Sequence, residues 1–594
     1  MLNLRLYRTA WLPVLFCLVV VAFSLHARPR GVPTTLAPDA FDGPRAARTL
    51  EGLAAAFPDR RPGSPGDDGL AERVRAGFVH AFCAEVGRTE CARRVLEWRF
   101  RARTIDGRRE LRTVVAARPG RSERRIVVLA HRDAAGHGAK AELSATAGLL
   151  ELAQVLAGRV TQRSVMLVST SGGSGGAAGA RDLIRHAGGP VDAVLVLGDL
   201  GGTVSHSPWV VPWSNARGSA PMRLQRTAEL AVREEAGSPG SPSLPMQFLR
   251  LAYPLTVGEQ GPLDAAGLPA VLIGPGGELG ATTDEAVDAN RLRIFGRGVL
   301  RTITALDNGS DVERGAATGL VVHGQVMPEW AMRLLVAALL LPALLGSIDG
   351  LARVRRRGGR TGRWVLWALA AAVPPVLAAL FAIALRAVGL LGAAPAAPVA
   401  PDRVPIGGVA LVATLLVLAG GWVFARRTIV AGLGVDRPDT AAAAAGVATL
   451  TALVVALVWV RNPYSAALLV PAAHLWLFAV APDVPIGRGR GVALAAGGFV
   501  PLALAALGYG LALGAGPLAL AWIALLAIAG GHAGPIGVLL GAVVLGCGLS
   551  ALVVARCRVP PPSRRIAPPD VVSRGPLTYA GPGSLGGTKS ALRR

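Results

Sequence analysis

Cysteine is scarce in this chain. Five residues in 594 are too few for a disulfide scaffold, and none falls in the Cys-x-x-Cys spacing of a cysteine zinc site. Cys83 and Cys91 are the only two in the charged half of the sequence, and they can pair if that half faces an oxidising compartment. Cys17, Cys547 and Cys557 lie in or beside apolar runs. Charge is scarce too, at 17% of residues against 52% hydrophobic, far from the balance of a soluble globular chain. The shortage is uneven: residues 30–325 hold most of the acids, whereas 330–556 are almost wholly Ala, Leu, Val and Gly. Two solvents, water and lipid, are implied.

Lysine is nearly absent, so arginine carries the net charge of +24. A basic surface is the usual footprint of nucleic-acid binding, but many of these arginines collect at the ends of apolar segments, where they act as orientation signals. No nucleic-acid partner is expected. The expected partner is the bilayer.

Residues 9–26 carry no charge and follow Arg5 and Arg8, which fits a signal peptide or an anchor. Leu25 before the Ala27/Arg28 junction makes a weak cleavage signal, which favours the uncleaved anchor. Further apolar runs lie near 330–352, 364–388, 406–425, 439–460, 463–481, 491–512, 515–531 and 535–555, of which the seventh is marginal in length. Arginines fill the loops after the first (Arg353 to Arg363), third (Arg426, Arg427, Arg437) and fifth (Arg488, Arg490) of these. The positive-inside rule makes those loops cytoplasmic and the domain before them extracytoplasmic. The loop at 392–405 carries Arg403 alone, in keeping with the opposite side. Nine spans would put the Arg-rich tail outside; a re-entrant 515–531 segment would return it inside.

The expected plan is therefore a cytoplasmic N-terminus and anchor (1–29), an extracytoplasmic α/β domain (30–325), an all-α polytopic bundle of about eight spans (326–558) and a basic disordered tail (559–594), in a multi-pass cell-membrane protein. Within the bundle an ionisable residue is a functional candidate by default. His474 is the best one, although no Asp or Glu lies deep in another span to form a relay with it, so the alternative is a neutral His bonded to a neighbouring helix.

Between residues 45 and 310 short β-branched runs alternate with amphipathic stretches, the pattern of an α/β domain. Strands are predicted at 111–117, 125–130, 164–169, 193–197 and 270–273, and helices at 45–56, 68–86, 143–157, 175–187, 219–236 and 286–305. The second strand ends in Ala130-His131-Arg132-Asp133, the fourth in Gly198-Asp199-Leu200-Gly201-Gly202. The Gly-rich 172–176 run lacks the Lys-Ser/Thr of a phosphate loop and the spacing of a dinucleotide fingerprint.

These blocks, with Arg60-Arg61-Pro62-Gly63-Ser64 upstream and Ala266-Gly267-Leu268-Pro269-Ala270 downstream, resemble the zinc aminopeptidases of peptidase family twenty-eight over about residues 45–307. The resemblance implies an α/β/α sandwich around a mixed sheet, with two zinc ions at the carboxyl ends of the strands and a Glu as general base. It assigns a zinc ligand to His131, an orienting role to Asp133 and a second ligand to Asp199. The bridging Asp position holds Ala141, the Glu-Glu pair is replaced by Gly173 and Ser174, and the closing His position holds Gly280. Four of six metal and base groups are thus substituted, which leaves too few ligands for a stable catalytic zinc.

Glu142, His137 and His206 are nearby in sequence and could rebuild a one-metal site or be ordinary loop residues. No cofactor is expected, unless zinc where a metal site survives. The anchor–domain–bundle plan is also similar to that of eukaryotic vacuolar and endoplasmic-reticulum membrane proteases and of the non-cleaving peptidase-like subunit of the GPI transamidase. The expectation is a catalytically inactive pseudopeptidase binding a peptide, protein or envelope component. The alternatives are an active metallo-aminopeptidase, or a transporter or flippase-like bundle with a regulatory domain.

Overall fold

The computed structural model describes residues 3–558 apart from 37, 85, 310–314, 392–396, 436, 437 and 439. The tail expected at 559–594 and Arg437 lie outside the described residues. Ten strands follow in chain order: β1 His26–Ala27, β2 Val95–Thr104, β3 Gly107–Arg118, β4 Ser122–His131, β5 Arg163–Thr170, β6 Val191–Leu197, β7 Val210–Val211, β8 Ala270–Ile273, β9 Leu320–Val322 and β10 Gln325–Met327. Seven form the main sheet, in the order β2-β3-β5-β4-β6-β8-β7. β5, β4, β6 and β8 run parallel at its centre, with antiparallel β2 and β3 on one side and β7 on the other.

The parallel strands are apolar through their central residues because both faces are covered there. Ile126, Val128 and Ala130 of β4 point into one core, together with Leu195 and Leu197 of β6. Val127 and Leu129 point into the other, with Val194 and Val196. The first core is roofed by long helices, Gly43–Ala56, Pro65–Cys83, Leu143–Ala157, Met222–Ala236 and Ala289–Asn308. The second is covered by Ala178–His186 and Gln260–Ala265, with Met246 of Leu244–Ala252 at its edge, and Ala397 from between two membrane spans completes it. This is the α/β/α sandwich with a mixed sheet.

All five predicted strands are present. β2 is an addition: its sequence, VLEWRFRART, interleaves arginine with apolar residues because much of the strand is exposed at the sheet edge. The helix predicted from 175 begins only at Ala178, since Gly172, Gly176 and Ala177 adopt positive φ (79°, 110° and 50°) and hold the segment as a loop. Cys83 and Cys91 are disulfide-bonded.

Among the described residues eight helices are long and apolar enough to cross a membrane: Leu4–Ser24, Glu329–Arg356, Gly362–Ala387, Gly408–Gly432, Ala441–Arg461, Pro463–Val480, Arg488–Ala512 and Pro535–Cys557. Seven of these lie in 326–558, one fewer than the eight expected there. The difference is the marginal 515–531 segment, which forms a 14-residue helix, Pro517–Gly530. Both its flanks meet the α/β domain: Leu513 and Ile523 pack with Leu249, and His532 Nε2 lies 3.1 Å from the Pro254 carbonyl. The domain also sits on the ends of other spans. Asn462 Nδ2 donates to Leu251 O (2.8 Å), Tyr464 Oη to Thr318 O (2.6 Å), and Arg217 to Arg461 O (2.9 Å). In the bundle, His474 receives the Tyr7 hydroxyl at Nδ1 (2.7 Å) and engages Leu339 O at Nε2 (2.9 Å), so it joins three helices.

Candidate functional site

The four parallel strands end at one rim, where open α/β sheets commonly present their ligand sites. Three features of the preceding sequence build it. Arg60, 1% exposed, donates to the Ala139 carbonyl, and Gly138 N donates to Pro58 O (2.8 Å), so the Arg-Arg-Pro-Gly-Ser segment pins the 138–142 loop. Ser144 Oγ accepts from the backbone of Leu200 (2.8 Å) and Gly201 (3.1 Å), which fixes the turn carrying Asp199. Arg132 turns the other way, into a fully buried pair with Asp67 (2.8 Å), and so anchors the strand end between its two site residues.

His131, Glu142, Gly173, Ser174, Asp199 and Gly280 all line one cleft. The structure brings these positions together from separate loops, while Asp133 and Ala141, of the same set, do not line the cleft. His137 and His206 are exposed to solvent and do not line it. Asp133 is buried beneath, but its oxygens accept from Gly173 N (3.0 Å), Ser174 N (3.2 Å) and Ser174 Oγ (2.6 Å). The orienting role the resemblance gives it is filled by another residue. Glu259, at the start of the short Gln260–Ala265 helix, places Oε2 2.9 Å from His131 Nδ1. A side chain at position 173 would collide with both groups, because a Cβ there would lie 2.3 Å from the His131 Cβ and 2.8 Å from Glu259 Oε1. Glu259 and Gly173 thus fit each other.

A second residue that the sequence does not single out is Arg403. It enters from the turn between the Gly362–Ala387 and Gly408–Gly432 helices, pairs with Glu142, and donates from Nη2 to Ala281 O (2.9 Å). Neither Glu259 nor Arg403 sits in a recognisable motif; the only hint was that Arg403 is the single cation of its loop.

The electrostatics follow from burial. Burial alone would lower the His131 pKa, but Glu259, with Asp133 and Glu142 behind it, raises it to about 9. Burial, reinforced by the Glu285 carboxylate, raises Asp199 to about 8. The Gly276 backbone offsets part of that rise, yet neither Asp199 oxygen has a hydrogen bond of good geometry. Ala141 is sealed in the loop with no polar group to offer. Among the described residues no group of three or more His, Cys, Asp or Glu side chains is placed to hold a metal ion. The donor set does not fit the two-zinc centre that the resemblance implies.

Residues 113–230 match the model of Peptidase family M28. The α/β domain is M28-like. Solved structures similar to this M28-like domain include a glutaminyl cyclase from an Acidobacteriales bacterium (18% identity, 47% of this chain and 99% of that one, TM-score 0.35). Others are the LapA aminopeptidase of Legionella pneumophila (14%, 46% and 72%, TM-score 0.36) and a glutaminyl cyclase of Macrostomum lignano (16%, 47% and 95%, TM-score 0.35). Comparison with curated proteins finds no match.

Proposed function

We propose that this chain is a multi-pass membrane protein whose M28-like domain lies on the extracytoplasmic side and binds a peptide, protein or envelope component without cutting it. One observation carries the reading: His131, at one of the two ligand positions that remain, is engaged by Glu259, and Glu142, next to the lost bridging position, is engaged by Arg403. Hydrolysis by the family route needs a metal-bound water and a carboxylate base beside it. Here Gly173 and Ser174 stand where the base and a ligand would be.

The sidedness is supported by two independent patterns. The segments that touch the domain, at 397–404, 461–465 and 509–532, alternate along the chain with the arginine-rich loops at 353–363, 426–427 and 488–490. The positive-inside rule makes the latter cytoplasmic. With eight spans, an even number, residue 558 returns to the side of the N-terminus; Arg558 there caps the carbonyls of Ala479 and Val484.

The test is metal analysis of the purified full chain with an aminopeptidase assay. Less than a tenth of an equivalent of zinc and no release of N-terminal residues are expected. Stoichiometric zinc that disappears in His131→Ala or Asp199→Ala, together with turnover, would mean an active metallo-aminopeptidase instead.

A further inference from the structure

The misfit between this site and a metal has a positive counterpart. Arg403 is not a bystander near the cleft; its guanidinium occupies it. Its side chain is only 11% exposed, and Nη1 is on Glu142, whose side chain is 4% exposed. Nη2 donates to Ala281 O (2.9 Å) and lies 3.8 Å from where a Cβ at Gly280, the position of the lost His, would sit. The two partners come from different loops, so one planar fork spans a carboxylate and a carbonyl together. An ammonium is a point charge and would not reproduce that fork.

The rest of the loop is shaped to deliver this group. Val399 and Val404 pack against Trp522 and Ile105, Ala397 joins the core under the sheet, and Val399 and Ala400 line the cleft beside Arg403. With the loop in place the cleft is left with about 60 Å³. Asp199 and Glu259 line it, Asp133 and Glu285 lie buried behind it, and Glu142 Oε2 is buried without a hydrogen-bond partner. Two cationic side chains meet these carboxyls, His131 at Glu259 and the Arg403 guanidinium at Glu142.

We propose that the former metal cleft has become a guanidinium-binding site, filled in cis by Arg403, which clamps the membrane loop at 397–405 to the M28-like domain. This rests on the non-cleaving reading above. The ligand class is an arginine side chain: any external ligand of the cleft must carry such a group and displace the loop.

Chemical rescue tests it in the full chain in lipid nanodiscs. In Arg403→Ala, backbone hydrogen exchange over 397–407 is expected to rise at least tenfold. Ethylguanidinium at millimolar concentration restores protection saturably, ethylammonium does not, and Arg403→Ala/Glu142→Gln is not rescued by either. Unchanged exchange in Arg403→Ala, equal rescue by ethylammonium, or rescue that survives loss of Glu142 overturns the proposal. Should Arg403→Ala not fold, Glu142→Gln alone is expected to loosen the same segment while the disulfide-bonded region near Cys83 keeps its protection, and no loosening overturns it. Zinc and aminopeptidase turnover measured on the same wild-type sample separate the two readings. Their presence sinks the non-cleaving function, whereas a failed rescue without them sinks only the guanidinium site.

Discussion

Around His474, midway along the Pro463–Val480 helix, both ring nitrogens are engaged, by the Tyr7 hydroxyl and the Leu339 carbonyl, and Trp11 stacks on the ring. In the cleft of the M28-like domain the reverse holds: both oxygens of Asp199, one of Glu142 and one of Glu259 are buried without a hydrogen-bond partner. Unsatisfied buried polar atoms cost free energy and persist where something other than stability maintains them. The contrast separates a polar group that glues helices together from a set of polar groups kept ready for a ligand. On the function proposed above, an arginine in place of a metal would preserve the second kind of site while removing its chemistry.

The contrast breaks most severely at Arg132. This residue sits between His131 and Asp133, yet its guanidinium is engaged by the protein itself, with Asp67, Ser169 O and Arg112 O around it. Arg132→Ala leaves Asp67 buried and unpaired, and a loss of about 3–5 kcal/mol is expected, read as a fall in the thermal midpoint of the full chain. A shift no larger than that of a surface arginine would contradict the assignment.

Asp264 supplies the next effect. It lies away from the cleft, buried, with Oδ2 unpartnered. Burial raises its pKa to about 7 against the hydrogen bonds from Ser214 and the Ala270 backbone. A carboxyl whose pKa is raised in the folded state binds its proton more tightly there than in the unfolded chain. Its contribution is therefore fully present below pH ~4 and is lost as pH rises through ~7, at about 1.4 kcal/mol for each pH unit between those values. Asp264→Asn is expected to gain about 2–4 kcal/mol over the wild type at pH 8 and little at pH 4. Equal changes at both pH values would refute the assignment.

Arg403→Ala ranks third. It removes charged hydrogen bonds, for which about 1–3 kcal/mol is expected; the cost stays below that at Arg132 because water can reach Glu142 once the loop leaves. Thermal unfolding with and without salt at about 0.5 M checks this, since a pair that is part-buried is screened only weakly.

How much of this was legible in the sequence depends on how local the signal is. The β4, β5, β6 and β8 strands announce themselves because strands buried on both faces are unbroken runs of Val, Ile, Leu and Ala. β2 does not, because an edge strand can alternate Arg99, Arg101 and Arg103 with apolar residues and lose nothing. His131, Asp133 and Asp199 were legible through the blocks around them. Glu259 and Arg403 were not: they reach the site from 128 and 261 residues away from their partners His131 and Glu142. No spacing encodes such contacts. The seven long helices of the bundle were readable from apolar length alone, and the same measure marked 515–531 as marginal; its helix, Pro517–Gly530, has 14 residues, and the contacts of Ile523 and His532 with the α/β domain had no signature in the sequence.

The smallest expected effect tests the other side of the contrast. If the His474 cluster only joins helices, Tyr7→Phe removes one hydrogen bond and leaves the ring packing with Trp11 and Phe478 in place. Hydrogen bonds between membrane helices are worth about 0.6 kcal/mol on average, because the separated helices find other partners. A loss of that order is expected in thermal unfolding, with no change in hydrogen exchange over 397–407. The result gains meaning beside Arg403→Ala, which is expected to do the opposite: a marked local loosening at the cleft and an unaltered N-terminal helix. A Tyr7→Phe variant that loosened the cleft as well would show that the anchor and the guanidinium site respond as one unit. His474 would then have to be moved from the glue to the working part of the molecule.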